Sequence, residues 1–229
     1  MQIIGMQKNS FVDYPSKISC VVFTPGCNMN CWYCHNREII NESEGAYDEE
    51  QVLEFLKKRA GFLDAVVVSG GEATLQPDLI EFIKKVKTMG YLVKLDTNGT
   101  NPKVLTNLIN EKLVDYVAMD IKAPFEKYNL VTPIKPEVLD SVRKSVEILK
   151  SANIAHEFRT TFAPNLTKED IVNLLREISP VKNYSLQMYV RPKFIEDKLE
   201  NHKKETFEEI KEIAINEKLV ENFQNKNLN

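Results

Sequence analysis

Six short apolar runs, separated by helical patterns, recur along this 229-residue chain. That alternation restricts it to folds built on a parallel sheet with right-handed crossovers. The runs are Ser19 to Pro25, Ala65 to Ser69, Leu92 to Asp96, Tyr116 to Ile121, Glu157 to Phe162 and Tyr184 to Val190, mostly continuous, as strands covered on both faces should be. Between them Leu79, Phe82, Ile83 and Val86 recur at helical spacing, as do Val138, Val142, Val146 and Leu149, then Ile171, Leu174, Leu175 and Ile178, and finally Phe207, Ile210 and Ile213. Gly90 reads as a helix end, Asn101-Pro102 as a helix start, and Thr167-Lys168-Glu169-Asp170 as a capping start. One domain is expected over 1–229, with an N-terminal segment over 1–18 and a helix with a polar tail over 203–229. The tail from Asn222 to Asn229 is expected to fray. Periodicity leaves two architectures open, an open doubly wound sheet or a partial barrel.

In both, active residues gather at the carboxyl ends of the strands. The polar motifs fall there. Cys27 to Cys34 follows the first run, Ser69-Gly70-Gly71-Glu72 ends the second, Asp96-Thr97-Asn98-Gly99 the third and Asp120-Ile121-Lys122 the fourth, while Arg159-Thr160-Thr161 lies in the fifth.

Cys27, Cys31 and Cys34 stand in Gly26-Cys27-Asn28-Met29-Asn30-Cys31-Trp32-Tyr33-Cys34-His35, a spacing that lets three thiolates meet one cluster from a single loop. Iron–sulfur clusters ordinarily take four thiolates, so three predict a four-iron cluster of the 4Fe-4S type with one iron open to chemistry. A structural zinc would want paired knuckles and a fourth ligand; no second pair exists, and His35 is adjacent to Cys34. Disulfides are disfavoured because Met1-Gln2-Ile3-Ile4-Gly5 lacks a basic region followed by a long apolar run, so a reduced, cytoplasmic setting is expected. Cys20, in mid-strand, reads as a packing residue.

Charge excludes little but points away from two partners. With 30 basic and 33 acidic residues spread along the chain, neither nucleic acid nor an anionic membrane is suggested. No apolar stretch reaches the roughly 20 residues that span a bilayer.

Taken together, these motifs resemble the radical S-adenosylmethionine (SAM) enzymes. The cysteine loop resembles that family's Cys-x3-Cys-x2-Cys signature, with Tyr33 as the aromatic residue before the last cysteine, and Gly70-Gly71-Glu72 resembles its GGE motif. Asp13-Tyr14-Pro15, Cys34-His35-Asn36, Val67-Val68-Ser69-Gly70-Gly71-Glu72, Leu95-Asp96-Thr97-Asn98-Gly99 and Tyr116-Val117-Ala118-Met119-Asp120-Ile121-Lys122-Ala123-Pro124 resemble, more narrowly, the anaerobic ribonucleoside-triphosphate reductase activating proteins, relatives of pyruvate formate-lyase activating enzyme. Two departures are visible: Ala73 where proline often follows GGE, and Ser16 where a glycine is common.

The resemblance implies a partial (β/α)6 TIM-type barrel in a single domain, one 4Fe-4S cluster held by Cys27, Cys31 and Cys34, and SAM bound at the open iron. It also implies SAM contacts from Tyr33, His35, Gly70, Gly71, Glu72, Asp96, Thr97, Asn98, Asp120, Lys122 and Arg159, and a monovalent cation near Asp96. Each motif also has an ordinary reading. Gly70-Gly71 could be a plain turn that lets backbone pass close to a ligand, Asp96 to Gly99 a turn, and Asp120 with Lys122 a structural ion pair on one strand face. Arg159, in an otherwise apolar strand, needs an anionic partner, SAM or Asp120. Trp32 and Tyr33 could shield the cluster or merely anchor the loop, Asn36 could serve adenine or a second-layer hydrogen bond, and His156 and His202 have no catalytic company.

The expected function is installation of a glycyl radical in an anaerobic ribonucleotide reductase through its glycyl radical loop, with a flavodoxin or ferredoxin-type electron donor. Asp13-Tyr14-Pro15 is the candidate contact for that loop. Alternatives are activation of another glycyl radical enzyme, radical chemistry on a small molecule such as a deazaguanine precursor, or a non-enzyme iron–sulfur electron carrier or binding protein.

Overall fold

A computed structural model describes residues 1–40, 47–195 and 199–227. Eight strands form one sheet in sequence order. Strand β1 (Gly5–Ser10) runs antiparallel to β2 (Ser19–Thr24). From β2 onward every pairing is parallel, through β3 (Ala65–Gly70), β4 (Leu92–Thr97), β5 (Tyr116–Asp120), β6 (Ala155–Phe162), β7 (Val181–Met188) and β8 (Val220–Lys226). No pairing joins β8 back to β1 among the described residues, so the sheet is a barrel left open on one side. The six runs read from the sequence are β2 to β7.

Helices α1 (Arg37–Ile40), α2 (Glu49–Lys58), α3 (Leu79–Thr88), α4 (Pro102–Asn110), α5 (Pro136–Ser151), α6 (Lys168–Ile178) and α7 (Lys204–Asn216) fill the crossovers. Their limits are chemical. Asn101 accepts from the Val104 amide ahead of Pro102, Thr167 and Asp170 form a reciprocal capping box, and Gly90 takes a left-handed φ of 86° one residue past the α3 cap. Leu79, Phe82, Ile83 and Val86 of α3 are all buried against the sheet, each side chain worth roughly 1.5–3 kcal/mol.

Two expectations change. Asn222 to Lys226 does not fray: it lies in β8, with Phe223 packed 5.3 Å from Tyr184 and Val220 paired with Val181. Exposed Glu221 and Asn222 between the buried Val220 and Phe223, and exposed Gln224 after them, hide a half-buried edge strand. The same pairing starts β7 at Val181, three residues before the apolar run suggests. The N-terminal segment, too, contains a strand.

Two apolar layers result. The larger lies between sheet and helices and contains Cys20, fully buried. The smaller lies inside the barrel, where Tyr14, Val21, Ala65 and Val67 pack with Phe23, Leu92 and Tyr116. Ser16 adopts φ 58°, the left-handed conformation for which glycine is the usual choice at that position of the motif. That turn tucks the Tyr14 ring 5.8 Å from Tyr116. Asp13-Tyr14-Pro15 therefore closes the barrel floor.

Candidate active site

Beyond Thr24 the chain turns through Gly26 into the cysteine loop, which is hung from several supports. The Trp32 amide donates to the Val131 carbonyl at 3.2 Å, the Asn30 amide to Thr132 Oγ1 at 3.0 Å, and Arg37 Nη2 to the Cys31 carbonyl at 2.7 Å. Trp32 packs edge-on to Tyr33 at 5.3 Å, and both rings meet Tyr189 just beyond β7, at 5.5 and 6.4 Å. The aromatic pair anchors the loop. Cys27, Cys31 and Cys34 all border one cavity of about 320 Å³. Burial pushes the thiols of Cys27 and Cys31 up, opposed at Cys27 by the Met29 amide and at Cys31 by Lys122. Cys20 is pushed up to about 12 by burial and stays clear of the cavity.

The Gly70-Gly71-Glu72 turn grips this loop at its stem. Gly71 and Glu72 amides donate to the Thr24 and Gly26 carbonyls at 2.9 and 2.8 Å. A Cβ on Gly70 would overlap the Thr24 backbone, and one on Gly71 the Gly26 carbonyl. The close approach that needs glycine is thus to the stem of the cysteine loop, while both glycines also line the cavity. Asn36 Nδ2 donates to the Gly70 carbonyl at 3.0 Å, fixing the segment after Cys34 to the same turn.

Glu72 departs from the expected direct contact. It is fully buried and does not line the cavity. One carboxylate oxygen accepts from Thr74 Oγ1 at 2.6 Å, Thr97 Oγ1 at 2.8 Å and the Thr74 amide at 3.1 Å, and the other from the Asn98 amide at 2.7 Å. Burial raises its carboxyl despite these bonds. Glu72 ties the loop after β3 to the loop after β4. Asn98 in turn reaches Asn28 Oδ1 at 3.0 Å and the Cys27 sulfur at 3.8 Å.

Across the cavity, β4, β5 and β6 present a chain of alternating charges. Lys94 Nζ lies 2.9 Å from Asp96, Arg159 Nη1 3.5 Å from Asp96, Arg159 Nε 2.8 Å from Asp120, and Lys122 Nζ 3.0 Å from Asp120. Ser69 Oγ donates to Asp96 at 3.0 Å, and Lys94 also donates to the Asp13 carbonyl at 2.6 Å. Burial would raise both carboxyls, but Arg159 together with Lys94 or Lys122 holds Asp96 and Asp120 below their ordinary range. Burial would lower Lys122 and Arg159, but Asp120 leads the charges that hold them up. Three cations share two carboxylates, so the row carries surplus positive charge.

The structure brings Tyr33, His35, Gly70, Gly71, Asp96, Thr97, Asn98, Asp120, Lys122 and Arg159 to one cavity with the three cysteines. Asp13, Tyr14 and Pro15 do not line it. Neither does His156, which faces the Ile154 carbonyl, nor His202, stacked on Phe162 at 3.5 Å. Sequence reading passed over Lys94, Gln187 and Tyr189. Lys94 carries the same signal as Arg159, a cation inside an apolar strand. Among the described residues no three His, Cys, Asp or Glu side chains converge on a single ion. A four-iron cluster does not ask for that, since each thiolate holds a different iron, and the loop's three thiols beside a cavity fit it.

A loop of three thiols at the strand ends of an open parallel barrel, opposite a surplus of positive charge, defines a class, and the radical SAM superfamily profile matches residues 21–178. The chain belongs to that superfamily and is a radical SAM enzyme. Its relatives include glycyl-radical enzyme activating enzymes. A protein of Methanocaldococcus jannaschii named as a candidate enzyme of that kind is 38% identical over 195 residues, covering 82% of this chain and 79% of the relative. The pyruvate formate-lyase-activating enzyme of Clostridium pasteurianum is 31% identical over 191 residues, covering 80% and 78%. Among solved structures, anSMEcpe with bound AdoMet superposes with a TM-score of 0.65 at 18% identity, over 86% of this chain and 61% of that one, a likeness of fold. The superfamily implies a 4Fe-4S cluster and SAM. No helix among the described residues is long and apolar enough to cross a membrane.

Proposed function

We propose that the chain installs a glycyl radical in an anaerobic ribonucleoside-triphosphate reductase. Cys27, Cys31 and Cys34 would hold the cluster, and the cavity they border would take SAM with its amino and carboxylate groups toward it. When bound, the cluster would supply the one electron, taken from a reduced donor, that cleaves SAM to methionine and a 5′-deoxyadenosyl radical able to take the Cα hydrogen of a glycine. The chain's own residues position and exclude water. Gly70 and Gly71 offer backbone groups to the methionyl amine, and Lys122 and Arg159 carry the surplus charge toward its carboxylate. Tyr33 and His35 would serve the adenosyl side, and Thr97 and Asn98 the ribose. A monovalent cation near Asp96 would share that carboxylate with Lys94 and Arg159.

What supports this reading most is the shared cavity. At about 320 Å³ it falls among small-molecule sites, and it sits in a barrel open on one side, where a polypeptide loop can enter. The motifs shared with the reductase activating proteins favour that partner over other glycyl radical enzymes. Reconstituted protein, reduced by dithionite or by a flavodoxin or ferredoxin, should cleave SAM slowly alone and faster with the reductase present. A glycyl radical should then be visible by electron paramagnetic resonance. Consumption of a nucleotide-like compound with SAM, and no protein radical, would favour the small-molecule alternative.

A further inference from the structure

The open side of the barrel is walled by β7 and β8, and its inner face carries neutral polar side chains. Register pairs Asn183 with Asn222, Ser185 with Gln224 and Gln187 with Lys226, and Arg159 with Ser185, so these side chains share the interior face with Arg159. Most are already engaged. Asn183 donates to the His156 carbonyl at 2.9 Å, Asn222 to Asn183 at 3.2 Å, and Ser185 and Lys226 both reach Glu157, at 2.8 and 3.1 Å. Gln187 and Gln224 make no side-chain hydrogen bond among the described residues. Gln187 lines the cavity and Gln224 is exposed one strand further out.

We propose that Gln187 and Gln224 hold the backbone of the polypeptide segment that the barrel admits, which rests on the function proposed above. A carboxamide offers a donor and an acceptor together, the same pair a peptide unit presents. The surplus charge of Lys94, Lys122 and Arg159 lies at the β4 to β6 wall, whereas on the β7 and β8 side Lys226 is neutralised by Glu157, so the unengaged polar groups there are the two carboxamides. The outer edge of β8 has no strand partner among the described residues, and it ends beside Asn227, which lines the cavity. An extended segment can pair with such an edge, run past Gln224 and bring one residue to Gln187. The two glutamines thus favour main-chain recognition with little demand on flanking side chains.

The test uses reconstituted holoenzyme with an intact anaerobic ribonucleoside-triphosphate reductase as the varied substrate. Losing two hydrogen bonds in Q187L/Q224L should raise the KM for the reductase roughly tenfold. In Q224L, whose side chain lies outside the SAM cavity, the rate at saturating reductase and the KM for SAM should move less than about twofold. Q224L alone, at an exposed position where loss of fold is not expected, should raise the reductase KM severalfold, and Q224N should recover part of it. An unchanged reductase KM in Q224L and in the double variant, with full radical yield, overturns the assignment and leaves the proposed function standing. No glycyl radical from the unaltered enzyme overturns both.

Discussion

Arg159 and Asp120 are cross-strand partners of β6 and β5, and the guanidinium Nε donates to the Asp120 carboxylate at 2.8 Å while its Nη1 lies 3.5 Å from Asp96. One arginine therefore links the strand ends on which the charged wall depends. Replacing Arg159 with Ala should weaken SAM binding about tenfold or more, by loss of a charged hydrogen-bonding group, with iron content retained. Isothermal titration of cluster-loaded protein measures it. Unchanged SAM affinity in a folded, iron-loaded variant would leave Arg159 a purely structural role.

Acid should find this network first. Asp96 and Asp120 both have folded-state carboxyls below their unfolded value. Their contribution is present above the unfolded carboxylate range near pH 4 and is lost as pH falls through the folded values. Unfolding by denaturant should show stability dropping below about pH 4, and Asp120→Asn should flatten that slope. At neutral pH the same variant should cost roughly 3 kcal/mol, because a buried guanidinium loses a partner. An acid slope unaltered by the substitution would contradict this assignment.

Glu72→Gln changes one oxygen into a donor facing hydroxyl or amide donors. With four groups donating to that carboxylate, two of them from Thr97 and Asn98, the amide cannot satisfy all of them. A loss of about 1–3 kcal/mol is expected, read as a lower thermal midpoint before any effect on SAM cleavage. A variant of full stability with SAM affinity lost would instead place Glu72 in direct contact with the ligand.

Gly71→Ala tests whether the glycine serves the ligand or the cysteine loop. The added Cβ would collide with the Gly26 carbonyl, so the stem of the loop must shift. Iron loading should fall together with SAM cleavage. Full iron with loss of SAM binding alone would assign the glycine to the ligand side.

The six parallel strands and the cysteine loop were legible because both are local signals: continuous apolar runs bounded by turns, and three thiols within eight positions. β8 was not, because its inward residues are Asn222, Gln224 and Lys226 on the wet side of an open barrel, and a polar edge strand lacks apolar alternation. Glu72 was located but not understood. Its partners Thr97 and Asn98 lie 25 and 26 residues away, so only the fold reveals that the carboxylate is already engaged. Arg159 was flagged as a buried cation, and Lys94, bearing the same mark two strands earlier, was missed.

The central claim is that one loop's three thiols hold a cluster at which SAM is cleaved, with Cys20 outside it. Each of the four cysteines should be changed to Ala in turn, the proteins reconstituted anaerobically with iron and sulfide, and iron and 5′-deoxyadenosine measured after reduction with SAM. Cys27→Ala, Cys31→Ala and Cys34→Ala should each lose most of the iron and all SAM cleavage, whereas Cys20→Ala, altering a thiol buried on the helix side of β2, should keep both. A Cys20→Ala protein without its cluster, alongside a loop variant that retains iron and still forms 5′-deoxyadenosine, would contradict the account.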